Sequence, residues 1–127
     1  MRIDLEDCLF CKIVAGIIPS EKVYEDTELL AFNDIYPAAP VHMLIIPKQH
    51  IATLSDCTDS HAELLGKMLA LAPKLAAEHG CAVQTDSAGE VTGGYKIMIS
   101  VGPDGAQEVY HLHMHVVGGA RPWRGLK

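Results

Sequence analysis

The stretch His111-Leu112-His113-Met114-His115-Val116-Val117 places three histidines at alternate positions near the C-terminus. Successive side chains of a β-strand point to opposite faces, so the three imidazoles should share one face and the apolar residues between them the other. A partly buried cluster of imidazoles disfavours more than one positive charge. Thr or Val would suit a strand more easily, so the pattern indicates chemistry rather than structural support.

Three interpretations of this stretch are open from the residues alone. Two or three neutral imidazoles can bind zinc or another transition metal. One imidazole can instead attack phosphorus while its neighbours orient it or transfer protons. The third interpretation is a surface stripe that only titrates with pH.

Length and composition limit the remaining function classes. The 127 residues predict a single domain over residues 1–127, and 49% hydrophobic content suits a globular core. No apolar run is long enough to span a membrane, so we expect no membrane partner. A formal net charge of -6 argues against nucleic-acid binding, although a small anionic substrate can still be held by local donors.

The first residues predict a cytoplasmic protein. Residues 1–7 are charged and contain no apolar signal core. The four cysteines should then be reduced.

Apolar periodicity and turn residues predict a mostly antiparallel sheet. A short helix over residues 8–15 would be capped by Asp7 and stopped by Gly16. The predicted strands span residues 22–25, 29–33, 41–46, 95–101 and 109–117, with loops at 34–40 and 81–94.

The main helix is predicted between Ser60 and Gly80. Ser60 and Glu63 have the spacing of a capping box, and apolar residues then recur at helical intervals. Pro73 should kink or interrupt the last turns. One long helix beside an antiparallel sheet makes an α+β domain.

A second cluster of reactive residues is Cys8-Leu9-Phe10-Cys11. Residues three apart share a helix face, so both thiolates could bind one zinc ion. The other interpretations are a redox pair or two buried small residues. No second cysteine pair follows, so His50 and the histidine strand are candidates for the remaining ligands.

The histidine stretch, extended by Gly118-Gly119, resembles the defining motif of the histidine triad (HIT) superfamily and its Hint branch. The CxxC segment, the stretch from Leu30 to Ile51 and the stretch from Gly105 to His115 are similar to the conserved blocks of that branch. The resemblance covers nearly the whole chain. It implies a five-stranded antiparallel sheet with one long and one short helix, in a homodimer whose sheet has ten strands.

The resemblance also implies a purine nucleoside phosphoramidase or nucleotide hydrolase. His113 would attack the α-phosphorus and form a nucleotidyl-histidine intermediate, which water would hydrolyse. His115 and His42 would lie beside the phosphate. The expected partner is a purine nucleotide of the AMP or GMP type.

Further nucleotide-binding residues follow from the resemblance. Asp34 would accept hydrogen bonds from the ribose hydroxyls, and Trp123 would cap the site. The remaining nucleotide contacts are expected from Phe10, Ile18, Phe32, Asn33, Ile35, Leu44, Ser100 and Gln107.

Two positions depart from many family members, which carry Asn in place of Ser100 and Ser in place of Glu108. Ser100 keeps a hydroxyl that can contact phosphate. The Glu108 carboxylate would repel phosphate, yet could act as a catalytic general acid towards an amine leaving group if its pKa were raised.

The resemblance implies one structural zinc ion per chain, held by Cys8, Cys11, His50 and His111, and no organic cofactor. Two other functions stay open. One is a metal-dependent enzyme in which the whole triad binds the ion, and the other is a nucleotide-binding regulatory module with weak hydrolysis.

Overall fold

The centre of the fold is a five-stranded antiparallel sheet. The computed structural model describes residues 7–123. The strands are β1 (Lys22–Glu25), β2 (Leu29–Asn33), β3 (Val41–Pro47), β4 (Gln84–Thr85), β5 (Val91–Thr92), β6 (Tyr95–Met98) and β7 (Met114–Gly118). Five of them form the sheet in the order β1-β2-β3-β7-β6. A separate short hairpin is formed by β4 and β5.

Within residues 7–123, two α-helices accompany the sheet, the short α1 (Leu9–Val14) and the long α2 (Ala62–Glu78). The α+β class and the five-stranded antiparallel sheet are therefore confirmed. Among the described residues, neither helix combines the length and the apolar character that crossing a membrane requires.

The alternation of side chains along the strands divides the core between the two faces of the sheet. On one face, Leu112, Met114 and Val116 pack with the buried residues of α2, including Met68 and Leu75. On the other face α1 packs against β2 and β3, burying Phe10 and Ile13 together with Cys8, Leu30, Phe32, Leu44 and Ile46. The three histidines of the triad lie on the α1 face, as the alternation predicts.

The N-terminal caps of both helices differ from the prediction. Cys8, rather than Asp7, caps α1, because its Sγ accepts a hydrogen bond from the backbone N–H of Cys11 at 3.1 Å. The expected capping box between Ser60 and Glu63 is also wrong. Ser60 already lies in a 3₁₀ turn (Asp59–His61), and Thr58 caps that turn.

The long helix runs without interruption through Pro73, so the expected interruption of its last turns is wrong. Pro73 has no N–H to donate to the carbonyl of Leu69, a residue on the exposed side of the helix.

The histidine strand begins later than predicted, at Met114 instead of residue 109. Its last pair with β3 joins Met114 to Ile45, and β3 ends at Pro47, which has no N–H to continue the ladder. Leu112 donates instead to the carbonyl of Ile51 at 2.6 Å. His111 and His113 therefore precede the strand. β6 is also shorter than predicted, ending at Met98.

Candidate functional site

A cavity of about 610 Å³ opens on the α1 face of the sheet. This volume lies within the range of small-molecule binding sites in proteins. Twelve residues singled out from the sequence line it: Phe10, Ile18, Phe32, Asn33, Asp34, Ile35, His42, Leu44, Ser100, Glu108, His113 and His115.

The order of the strands divides the cavity wall into three parts. β2, β3 and the loop from Asp34 to Ala38 form one side, which α1 covers with Phe10. β7 supplies the middle. Beyond it, residues that follow β6 form the other side, including Ser100 and Glu108.

His113 lines the cavity, and one nitrogen of its ring is already hydrogen-bonded. Its Nδ1 lies 2.8 Å from the carbonyl oxygen of His111, which can only accept, so Nδ1 carries the proton. Nε2 is then the nitrogen with a free lone pair. The ring of Phe10 meets that of His113 edge to face, with centroids 5.1 Å apart.

Burial keeps the His113 ring neutral. It lowers the pKa of His113, although the carbonyl of His111 and the carboxylates of Asp34 and Glu108 favour the protonated form. A neutral imidazole with an unprotonated Nε2 is a competent nucleophile near neutral pH.

His42 and His115 form a second imidazole pair in the wall of the cavity. Nδ1 of His42 accepts the backbone N–H of Ala38 at 3.0 Å, so the neutral ring carries its proton on Nε2. That nitrogen lies 2.9 Å from Nδ1 of His115 and donates to it. The proton of neutral His115 is consequently on Nε2, where it is available for donation.

Electrostatics around this pair also favour neutral rings. Burial is the main cause that lowers the pKa of His115 to about 4, with His113 and His42 adding to it. Burial likewise lowers the pKa of His42, while the carboxylate of Asp34 opposes the shift. One carboxylate oxygen of Asp34 lies 3.5 Å from Nε2 of His42.

Asp34 is held at the start of its loop by two backbone contacts. Its N–H donates to the carbonyl of His42, and its Oδ1 accepts the N–H of Tyr36 at 2.8 Å. The carboxylate thus has a defined position on the side of the cavity formed by β2 and β3.

Two predicted nucleotide-binding residues do not line the cavity. The amide of Gln107 bonds the backbone of Gly102, Ala52 and Val109, so it fastens the turn before the histidine stretch. The indole of Trp123 donates to the carbonyl of Gly119 at 3.0 Å. Both residues were expected at the site from resemblance alone, without a local pattern that placed them there.

Nine further lining residues were missed by the sequence analysis: Leu9, Ile13, Pro19, Ser20, Tyr36, Ala38, Met98, Ala106 and Val109. The helical spacing of Ile13 from Phe10 was a usable signal, since residues three apart share a face. Leu9 and Met98 lie in α1 and β6, and the other six come from loops and turns, where the sequence contains no periodic signal.

Cys8, Cys11, His50 and His111 form a possible metal-binding cluster outside this cavity, with all four ligand atoms within 4.8 Å of one another. Cys11 Sγ lies 3.1 Å from Nδ1 of His50 and 3.4 Å from Nδ1 of His111. Cys8 Sγ lies 3.4 Å from the same His111 nitrogen. The two imidazole nitrogens are 3.3 Å apart.

These separations fit a tetrahedral metal site. Zn–S bonds of about 2.3 Å and Zn–N bonds of about 2.0–2.1 Å put sulfur and nitrogen about 3.5 Å apart and two nitrogens about 3.4 Å apart. Nε2 of His111 donates to the carbonyl of Pro47 at 2.7 Å, so its Nδ1 lone pair faces the cluster.

Metal binding at the cluster requires a neutral imidazole and deprotonated thiols. Burial lowers the pKa of His111 to about 4, so its ring is neutral. Burial and the neighbouring Cys8 raise the pKa of Cys11 to about 12. A bound cation would stabilise the thiolates that this environment otherwise disfavours.

The triad is therefore divided between two sites. His111 belongs to the cysteine cluster, whereas His115 lies with His42 and Asp34 in a separate group of possible ligands. The three imidazoles do not converge on one point, so the interpretation in which the whole triad binds a single ion is wrong.

The chain is similar to known proteins over most of its length. A family model described as "Scavenger mRNA decapping enzyme C-term binding" matches residues 7–127. The protein HitA of Neisseria gonorrhoeae is 44% identical over 114 residues, covering 90% of this chain and 97% of HitA. Purine nucleoside phosphoramidase of Escherichia coli K12 is 41% identical over 114 residues, covering 90% of this chain and 88% of that enzyme.

Solved structures are similar to the whole fold. A HIT family hydrolase from Legionella pneumophila superposes with a TM-score of 0.80 at 47% identity, covering 91% of this chain and 95% of that one. A histidine triad protein from Clostridium difficile has a TM-score of 0.79 at 40% identity, with 94% and 96% covered.

The lowered pKa of His115 predicts how stability depends on pH. The ordinary value is 6.5 and the folded value about 4, so between these values the unfolded chain binds more protons. The free energy of unfolding should rise with pH across this window, and stability should be lost on acidification. His115→Gln removes this titrating group and should flatten the slope by up to about 1 kcal/mol per pH unit. Partial solvent screening keeps the change in slope below that of a fully buried group.

Urea unfolding of both proteins at a series of pH values tests this, with a chelator present to remove contributions from cation binding. Equal slopes for wild type and His115→Gln would contradict the assignment of a neutral buried ring.

Proposed function

Because this chain belongs to the histidine triad family, we propose that it hydrolyses purine nucleoside phosphoramidates or aminoacyl adenylates at the α-phosphorus through a nucleotide attached to His113. The observation that carries this proposal is the neutral His113 ring, whose Nδ1–H is engaged by the carbonyl of His111 and whose Nε2 is free. The relative named purine nucleoside phosphoramidase supports it.

In the first step, Nε2 of His113 forms a bond to phosphorus while the bond from phosphorus to the leaving group breaks. The leaving group takes the bonding electron pair and a proton from Nε2 of His115. His42 keeps its own Nε2–H, which donates to Nδ1 of His115 and stabilises the negative charge left on that ring until a proton returns from water. We assign this proton transfer to His115 instead of Glu108. The hydrogen bonds from Ala38 to His42 and from His42 to His115 fix the proton of neutral His115 on Nε2.

In the second step, water attacks phosphorus and the bond to His113 breaks. The water proton returns to the pair of His42 and His115, and a nucleoside monophosphate is released. While phosphorus is attached, the ring of His113 is cationic, and the carbonyl of His111 and the carboxylates of Asp34 and Glu108 stabilise that charge. Dividing the displacement into two steps lowers the barrier of each.

The nucleoside is proposed to bind over β2 and β3. Asp34 would accept from the ribose hydroxyls, and Ser100 would contact the phosphate from the opposite side. The purine would lie against Phe10, Ile18, Phe32, Asn33, Ile35 and Leu44. Gln107 would act indirectly by holding its turn, and Trp123 lies outside the cavity of its own chain.

His113→Ala should lower phosphoramidate hydrolysis by three or more orders of magnitude while AMP still binds, because only the nucleophile is removed. Intact-protein mass spectrometry should detect a nucleotide adduct on rapidly quenched wild type and none on the variant. His79→Ala, at the end of α2, serves as a control with normal turnover. Near-normal turnover by His113→Ala would exclude the covalent mechanism.

Asp34→Asn keeps the shape of the side chain and removes its charge, so it should weaken AMP binding about tenfold. A 2′-deoxy substrate should bind less tightly than the ribose form on wild type, and this difference should shrink in Asp34→Asn. Adenine and guanine substrates should agree within about tenfold, since the base meets mainly apolar side chains. Equal binding of both sugars by wild type would refute the role of Asp34.

We further propose that the cysteine cluster holds one structural zinc ion per chain. Two thiols and two imidazoles at tetrahedral separations support zinc, and four protein ligands favour a structural site. Zinc would tie α1, which carries Cys11, to the segment before β7, which carries His111. A cytoplasmic location, where both thiols stay reduced, is part of this proposal.

Cys8→Ser and Cys11→Ser should each lose zinc and melt at lower temperature than wild type, because each removes a thiolate ligand. Cys57→Ser is the matched control, since Cys57 is free and outside the cluster. Elemental analysis of protein purified without chelators measures the metal. A zinc content far below one per chain in wild type would remove this proposal.

A homodimer with a continuous ten-stranded sheet is also proposed. β6 lies at the edge of the described sheet with β7 as its partner, and α2 leaves Leu69 exposed. Pairing two copies would cover such surfaces about a two-fold axis. Sedimentation at micromolar concentration should give twice the chain mass of 13.7 kDa. A single species of monomer mass would contradict it.

A further inference from the structure

The lysine, arginine, aspartate and glutamate content of the described cavity wall is purely acidic. Two carboxylates, those of Asp34 and Glu108, line the cavity, and no lysine or arginine does so among residues 7–123. The whole chain is acidic as well, with a formal net charge of -6. A nucleotide bound here would meet neutral donors instead of cations.

The two carboxylates stand on different sides of the reacting histidine. Asp34 follows β2, whereas Glu108 belongs to the wall beyond β7, with Ser100 and Met98. If Asp34 holds the ribose, the phosphate lies over His113 and the remaining part of the substrate extends towards Glu108. Glu108 is exposed, so its charge meets substrate groups near the solvent.

We propose that Glu108 is a specificity-determining residue that selects leaving groups with a cationic substituent, such as an amine bearing a second ammonium group. This inference rests on the proposed phosphoramidate hydrolysis and names the substrate class within it. A positive group on the departing amine is attracted by the Glu108 carboxylate, whereas a negative group is repelled, and no lysine or arginine among the described lining residues offsets that repulsion.

The preference should be electrostatic and moderate. A unit charge at the distance of a bound leaving group, in a largely hydrated site, predicts that cationic substrates are favoured over anionic ones by about tenfold in kcat/KM. Salt should reduce the preference, because the screening length falls from about 10 Å at 0.1 M to about 3 Å at 1 M.

Three adenosine phosphoramidates test this inference, with leaving amines of equal chain length that end in an ammonium, a methyl or a carboxylate group. The measured quantity is the ratio of kcat/KM between the cationic and anionic substrates, compared between proteins so that intrinsic reactivity cancels. Wild type should give a ratio at least about fivefold higher than Glu108→Gln. Glu78→Gln makes the same change in net charge outside the cavity and should keep the wild-type ratio.

The outcomes separate the two proposals. If wild type hydrolyses none of the three substrates, the proposed function fails and this inference fails with it. If it hydrolyses all three and Glu108→Gln leaves the ratio unchanged, only the inference is overturned. A wild-type ratio that does not fall in high salt also overturns it, because a purely steric preference would not respond to screening.

Discussion

The pairing of β7 with β3 is the constraint on which the site depends. Its register sets His115 opposite Leu44 and Val117 opposite His42, so the two histidines are diagonal neighbours on one face. Their rings therefore meet, with centroids 5.1 Å apart. Because side chains alternate along a strand, a slip of one residue would turn the imidazoles into the α2 core, and burial of the apolar residues prevents this.

The backbone then decides what each imidazole can do. Carbonyl oxygens engage one nitrogen of His111 and one of His113, and the N–H of Ala38 engages one of His42. Each ring is left with a defined tautomer and one nitrogen for chemistry. Burial keeps the rings neutral, so several histidines can stand side by side without the repulsion that charged rings would suffer.

Helix α1 connects the cavity to the cysteine cluster. With six residues it is shorter than helices that are stable alone in water, so it depends on tertiary contacts. Phe10 and Ile13 supply apolar contacts and also line the cavity, while Cys8 and Cys11 face the cluster. A cation bound by those thiols would hold in place the same helix that forms part of the cavity wall.

The sequence by itself determined the strands at residues 22–25 and 29–33, the long helix and the common face of the three histidines, because local periodicity governs each of them. Only the tertiary structure divided that face between two sites, since His111 turns towards cysteines far away in the chain. It also delayed the start of the histidine strand to Met114, because the neighbouring strand ends in Pro47, which lacks an N–H. The hydrogen bond from the Gln107 amide to the carbonyl of Ala52 likewise depends on long-range packing, which no local pattern encodes.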